Sequence, residues 1–457
     1  MVDDPAGETF DAVLARLAAE RAAAPTGKRL MASICGQFPI YSQTFVYQEL
    51  VQLQKAGYEV RHAYSAELPR ADLHEAFAAL WPRRVRLEMD WHRNVADFTH
   101  YRQRFPDRVA SLVRAIAEAT GKGEAEITGH YDFVRGFSHA RLVEAWQPHW
   151  LHSYFFYERS FYSLIAGWIL QIPRGISSYA DHLLADYDFK LVPLHLRTCE
   201  VVVATSARIK QELLGLAPEV DPDRILVKPN AIDAAHFPFV ERTPPAPGEP
   251  WRLVCVARLE PKKGQLHLVE AVAHLRRRDG VPVELHLIGE ADRGNPASDE
   301  YARRIRELVG QLGLGAVVHF EGRQPQSEVR RFLERGHVWV APFVETESGD
   351  KDGIPTALLE AMATGAAVVV TDAGSMLEVV TDGVDGLVVG QRDAAALAAA
   401  IGGLLGDSAR RSRLGRAAAG TVAKSFDVAV CEGRLHDRIA SRLGSCTAIE
   451  PEPRCTG

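Results

Sequence analysis

Short apolar runs alternate with longer segments of helical spacing along most of the chain, and the alternation comes in two blocks. In the first block, strand-like runs fall at 29–35, 58–64, 150–152, 174–178, 201–204 and 224–228. In the second they fall at 252–256, 283–288, 317–320, 338–341 and 367–371. Segments with apolar residues three and four apart lie between them, notably at 43–56, 265–278, 298–312, 327–334 and 356–364. Strands that each hand over to a helix do not pair through tight hairpin turns. They build parallel sheets with helices on the faces. The blocks are separated by a polar, proline-rich stretch at 241–250, which reads as a linker. The pattern predicts an α/β fold with two Rossmann-like βαβ domains.

A chain of 457 residues is too long for a single ordinary core, which agrees with two domains at 28–240 and 251–425. A helical extension precedes them at 1–27. A last helix at 428–443 within the segment 426–457 is expected to pack back onto the first domain, followed by a disordered tail at 447–457. The stretch 73–119 has a helical pattern and carries Arg83, Arg84, Arg86, Arg93, Arg102, Arg104, Arg108 and Arg114. We read it as a solvated helical insertion; a basic surface for a membrane or a phosphorylated lipid is the lesser reading.

The formal net charge of −6 gives no electrostatic footprint for nucleic acid. The six cysteines are scattered without a Cys-x-x-Cys pair, which argues against a structural zinc site or a disulfide framework. Neither a signal peptide nor a spanning apolar segment is read, so a cytoplasmic protein is expected, with peripheral contact at the inner face of the membrane left open.

Chemistry concentrates at Gly349-Asp-Lys-Asp-Gly-Ile-Pro-Thr-Ala-Leu-Leu-Glu-Ala-Met-Ala-Thr-Gly365, which follows a strand and opens a helix. Pro355 suits a first helical position. Gly353 lets a ligand approach the backbone, and the free amides of the helix start suit a diphosphate. Asp352 and Glu360 bracket that start. Carboxylates there would repel phosphate oxygens, so they are expected to accept hydrogen bonds from sugar hydroxyls. Glu360 sits among Leu358, Leu359, Ala361 and Met362, an apolar setting in which a carboxylate needs partners. A turn residue and a helix-face carboxylate are the bland alternatives. A second basic loop, Val-Ala-Arg258-Leu-Glu-Pro-Lys262-Lys263-Gly264, follows the first strand of the second block. Arg258 can grip phosphate oxygens in a fork and a lysine offers a point charge.

The 349–365 segment resembles the donor-binding signature of retaining GT-B glycosyltransferases of family 4, close to the exopolysaccharide and colanic acid type. In that family two glutamates are separated by seven residues, and here Asp352 takes the first place. The resemblance implies the GT-B architecture, with the two domains facing each other across a cleft. It implies that Asp352, Gly353, Ile354 and Pro355 contact the donor sugar, that Glu360 holds the ribose, and that Arg258 and Lys263 bind the diphosphate. Gly322 and Arg323, in Phe-Glu-Gly-Arg, resemble positions near the base. In the first domain, Gly36-Gln-Phe-Pro-Ile-Tyr-Ser-Gln-Thr-Phe resembles the family's Phe-Pro-x-x-Ser-Glu-Thr-Phe loop. His152 and Tyr154 resemble a His-x-His strand end, and Tyr179 with His182 resembles a Thr-Ala-His segment. These four are acceptor-side candidates, and Gly36 lets donor and acceptor approach the backbone.

The expected function is retaining transfer of a sugar from a nucleoside diphosphate sugar, UDP or GDP foremost, to a carbohydrate or glycolipid acceptor, with no metal or other cofactor. An Asp-x-Asp at Asp350 and Asp352, and the group Asp181, His182, Asp186 and Asp188, are weighed as metal sites and set aside. Epimerisation or phosphorolysis on the same fold, and an inactive partner subunit, are the alternatives.

Overall fold

The computed structural model describes residues 8–25, 27–39, 44–70, 75–179, 187–292 and 294–445. They form two units. The first comprises Met1–Lys228 and Glu432–Gly457, the second Pro229–Cys431.

In the first unit the strands of the seven-stranded sheet are β1 (Arg29–Ile34), β2 (Tyr58–Tyr64), β3 (Arg84–Arg86), β4 (Trp150–Tyr154), β5 (Arg174–Ser178), β6 (Val201–Ala204) and β7 (Ile225–Val227). They pair in the order β3-β2-β1-β4-β5-β6-β7, all parallel. The order reverses at β1, whose residues 31–34 pair with 150–153 of β4 on one side while its full length pairs with β2 on the other. Both faces are covered, so β4, β5 and β6 are buried along their whole lengths. Helix α1 (Phe10–Ala23) buries Phe10, Val13 and Leu17 in a core shared with α2 (Tyr131–Trp146) and α3 (Glu158–Leu170). Thr9 caps α1, accepting from the Ala12 amide at 3.3 Å.

The arginine-rich stretch 73–119 differs from a purely helical insertion, because β3 lies within it and extends the sheet beside β2. Arg84 is buried, stacks 3.9 Å over the Trp81 ring and donates to the Trp81 carbonyl at 2.8 Å. Arg93 pairs with Asp97 at 3.1 Å, Arg104 pairs with Glu144, and Arg108 donates to the Ile169 carbonyl at 2.8 Å. Partners inside the unit thus account for much of the basic character.

The second unit has β8 (Trp251–Val256), β9 (Val283–Ile288), β10 (Val318–Gly322), β11 (Val338–Ala341), β12 (Ala367–Thr371) and β13 (Leu387–Val389) in the order β10-β9-β8-β11-β12-β13. All pairs are parallel, the doubly wound arrangement, and the order reverses at β8. The two-residue period of a strand decides what each face meets. Leu253, Val369 and Leu285 pack with α4 (Gln265–Asp279), α5 (Pro296–Gln311) and α8 (Ala394–Gly406). Val254, Val368 and Val370 pack with α6 (Gln326–Arg335) and α7 (Thr356–Ala363).

The stretch 241–250 falls inside the second unit, and the division lies at Lys228/Pro229 instead. Backbone bonds fasten the segment after that division: the Ile232 amide donates to Phe426 at 3.1 Å and the Val428 amide to Ile232 at 2.9 Å. Arg242 donates to the carbonyls of Leu333, Gly336 and Thr364 at 2.6, 2.8 and 2.6 Å. A proline-rich segment with few donors of its own is held here by an arginine. The last helix, α9 (Val428–Ser445), places Leu435 and Ile439 in the core of the first unit with Tyr58 and Val201. No helix among the described residues is long and apolar enough to cross a membrane.

Candidate functional site

At the carboxyl edge of the second sheet the loops after five strands converge. Gly289 has φ 136° and an added Cβ would stand 2.2 Å from the Ala257 carbonyl oxygen, so only glycine allows the loop after β9 to lie on the loop after β8. The Gly289 amide donates to Gly322 at 2.8 Å, and the Leu259 amide to Glu290 at 3.0 Å. Arg258 rises from this floor with its side chain 55% exposed, between Glu260 at 2.8 Å and Asp292 at 3.1 Å. Gly322 (φ 66°) and the exposed Arg323 stand at the end of β10 beside it.

The basic turn 261–263 ends on Gly264, where a Cβ would meet the Pro342 carbonyl oxygen at 1.8 Å. That close approach joins the loop after β8 to the loop after β11. The Val344 amide donates to the Lys262 carbonyl at 2.8 Å. Lys262 pairs with Asp350 at 3.1 Å, and the buried Lys263 ammonium pairs with Asp352 while lying 4.3 Å from the Phe343 ring centroid. Burial of an ammonium is costly unless a carboxylate meets it, which explains the pairing. Both carboxylates of the Asp-x-Asp sequence therefore face lysines. The loop after β12 closes the third side, since a Cβ on Gly374 (φ 58°) would stand 2.2 Å from the Asp352 carbonyl oxygen.

Gly353, Ile354 and Pro355 lead from Asp352 into α7. Among the described residues, the amides of Gly353, Ile354, Thr356 and Ala357 have no acceptor, and those of Leu358 and Leu359 turn back to the Pro355 carbonyl at 3.1 and 3.4 Å. Glu360 follows one turn later, half-buried. Burial pushes its carboxyl up to about 7, which the nearby Gln326 side chain of α6 only partly offsets. The structure thus brings Arg258, Lys263, Asp352, Gly353, Ile354, Pro355 and Glu360 to one sheet edge.

In the first unit Gly36 and Tyr154 line a cavity of about 430 Å³ after β1 and β4. His152, the other acceptor-side candidate at this strand end, is buried in the sheet. It pairs with Ser33 in mid-sheet and is 0% exposed, because both faces of that sheet are covered. Its Nε2 faces the Glu49 carboxylate at 3.1 Å and the Ser177 hydroxyl at 2.9 Å. Tyr179 donates to Glu49 at 2.5 Å, and Lys228 meets both Glu49 at 3.0 Å and Glu432 at 2.7 Å. Burial alone would raise Glu49, but Lys228 and His152 hold its carboxyl well below the usual range. His182, Asp181 and Asp186 lie outside the described residues, and Asp188 pairs with Lys122 at 3.1 Å. Sequence reasoning missed Glu49, Glu432, Asp292 and Gln326. Gln326 lies three residues after Arg323, within the segment that carries that resemblance, and the signal there was the family likeness.

Residues 238–421, all within the second unit, match the family described as Glycosyl transferases group 1. The second unit carries a group 1 glycosyl transferase domain. A Salmonella typhimurium protein named as a colanic acid biosynthesis glycosyltransferase, WcaL, is 35% identical to the chain over 178 residues, 39% of this chain and 41% of the relative. The amylovoran biosynthesis glycosyltransferase AmsK of Erwinia amylovora is 32% identical over 151 residues, 33% of this chain and 35% of the relative. The chain thus spans about two fifths of the length of these curated relatives. The crystal structure of Anabaena HepE in complex with UDP and glucose superposes with a TM-score of 0.62 at 16% identity, over 91% of this chain and 99% of that one. At that identity the likeness bears on the fold, which is GT-B: two Rossmann-like α/β units, the second being the glycosyl transferase domain.

Proposed function

We propose that the protein transfers a sugar, with retention, from a nucleoside diphosphate sugar to a carbohydrate or glycolipid acceptor. The observation that carries this reading is the pairing of Lys263 with Asp352, which joins a basic loop to a helix start at the strand-order switch of a parallel sheet. Ligands of such sheets bind in the crevice at that point.

In this reading the donor diphosphate lies between Arg258, the Lys263 ammonium and the amides of Gly353 and Ile354. Those groups stabilise the charge that grows on the leaving diphosphate, and they are in place before the reaction begins. Asp352 accepts from a hydroxyl of the donor sugar and Glu360 from the ribose. Gly322 and Arg323 flank the base. The acceptor attacks from the face the diphosphate leaves, and a donor phosphate oxygen takes its proton, so no protein nucleophile is used. The UDP in the HepE crystal structure supports a uridine donor, and the names of the WcaL and AmsK proteins support an exopolysaccharide acceptor.

Transfer assays on Glu360→Gln and Arg258→Ala with UDP- and GDP-sugars test the assignment. Both variants are expected to lose transfer by about a hundredfold or more. Near-normal transfer by both would overturn it.

A further inference from the structure

The cavity in the first unit has a polar feature that the donor chemistry does not use. It lies at the carboxyl edge of the sheet beside the β1–β4 switch point, and Gly36, Ser65, Tyr154, Phe155, Tyr157 and Arg159 are among its walls. Arg159 stands in the first turn of α3 with its side chain only 14% exposed. Its Nη2 donates to the Ser65 hydroxyl at 2.7 Å, and that hydroxyl donates to the Gly36 carbonyl at 2.6 Å. Its Nε is buried without a partner among the described residues. Glu158 approaches Nη2 only to 3.4 Å, too long for a good hydrogen bond. A Cβ on Gly36 would stand 4.0 Å from Nε, so the glycine backbone lies directly beside that buried atom.

A second guanidinium lies behind the first. Arg135 is 5% exposed, stacks 3.4 Å over the Tyr131 ring, and among the described residues leaves Nε and Nη2 without partners; the charges of Arg159 and Glu158 both reach it. The Glu158 carboxylate offsets part of the repulsion between the two guanidiniums, and a further oxyanion at Arg159 would offset more of it. The positive end of α3 adds to the same field. Phe155 is held at φ 60° at the strand end, and its ring and that of Tyr157, 6.1 Å apart, give the cavity an apolar wall suited to the C–H face of a sugar.

We propose that this cavity receives an acceptor sugar that carries an oxyanion, a carboxylate or a phosphate, gripped by the Nε–Nη2 edge of Arg159. The inference rests on the reading that the protein is a sugar transferase, and it names the acceptor class. An oxyanion on that edge satisfies the orphaned Nε–H and discriminates against neutral sugars, which leave it unpaired.

The test is hydrogen exchange of segment 153–162 in the full chain, titrated with glucuronic acid, glucose 1-phosphate and glucose. At least one of the acids is expected to protect the segment at a concentration about tenfold lower than glucose. The acid that does so tells a uronic acceptor from a phosphorylated one. Arg159→Gln is expected to abolish the difference and Arg159→Lys to keep part of it, both with unchanged circular dichroism. Equal protection by all three sugars, or none by the acids, overturns the proposal; this comparison in the wild type decides even if Arg159→Gln fails to fold. UDP binding is followed in the same samples. Its absence alongside intact discrimination would overturn the transferase reading and leave the anion site standing.

Discussion

The Lys263 ammonium is buried against the Asp352 carboxylate, so residues 89 positions apart share one ion pair at the edge of the second sheet. The pair places a cation where a diphosphate is expected and holds a carboxylate ready for sugar hydroxyls. The same contact orders the loop before α7.

Removing one partner separates these roles. Asp352→Asn leaves the buried ammonium short of its counter-charge and is expected to destabilise the second unit by about 2 kcal/mol, less than a fully buried pair because Asp352 is partly exposed. Lys263→Met combined with Asp352→Asn is expected to recover part of that loss. Urea unfolding measures both. UDP should raise the melting temperature of the wild type and not of Lys263→Met. Full UDP stabilisation of that variant would show that the ammonium is not in the diphosphate site.

Glu360 gives the site a pH dependence. Its folded carboxyl is pushed up to about 7 from 4.5, chiefly by burial. A carboxylate accepts ribose hydroxyls; the neutral acid does so less well. Nucleotide affinity is therefore expected to rise about tenfold between about pH 6 and about pH 8 and to be flat in Glu360→Gln. Stability runs the other way. A raised carboxyl favours the folded state below its unfolded value and loses that contribution as pH rises through 7. Glu360→Gln is thus expected to gain melting temperature relative to wild type at about pH 8 and not at about pH 5. Calorimetry at the two pH values checks the sign.

Periodicity made most of both sheets readable, because parallel strands buried on two faces are written as short apolar runs with little else to imitate them. Val338–Ala341 and Ala367–Thr371 are such cases. Leu387–Val389 escaped because three residues are too few to show a period, and Ala394–Gly406 because its alanines and glycines give a helix no polar face. The donor loops were readable because glycine, proline and charge are concentrated within one turn. The buried Glu49, Lys228 and Glu432 were not: they lie far apart in the sequence, and only the fold brings them together. Arg159 next to Glu158 reads as an ordinary helix surface until the β1 loop covers it.

That hidden network has a measurable signature. Lys228 meets Glu49 and Glu432, and all three are buried. Lys228→Met would leave both carboxylates without their cation, which is expected to cost about 3–5 kcal/mol near neutral pH. In the wild type the depressed Glu49 carboxyl contributes stability above its unfolded value and loses it as pH falls. Without Lys228, burial would dominate and raise the Glu49 carboxyl, so that carboxylate would weaken the fold as pH climbs. The deficit of Lys228→Met is therefore expected to be larger at about pH 8 than at about pH 5. Urea unfolding at both values measures it. A deficit independent of pH would mean that the lysine contributes packing alone, and that Glu49 owes its low pKa to His152 and Tyr179.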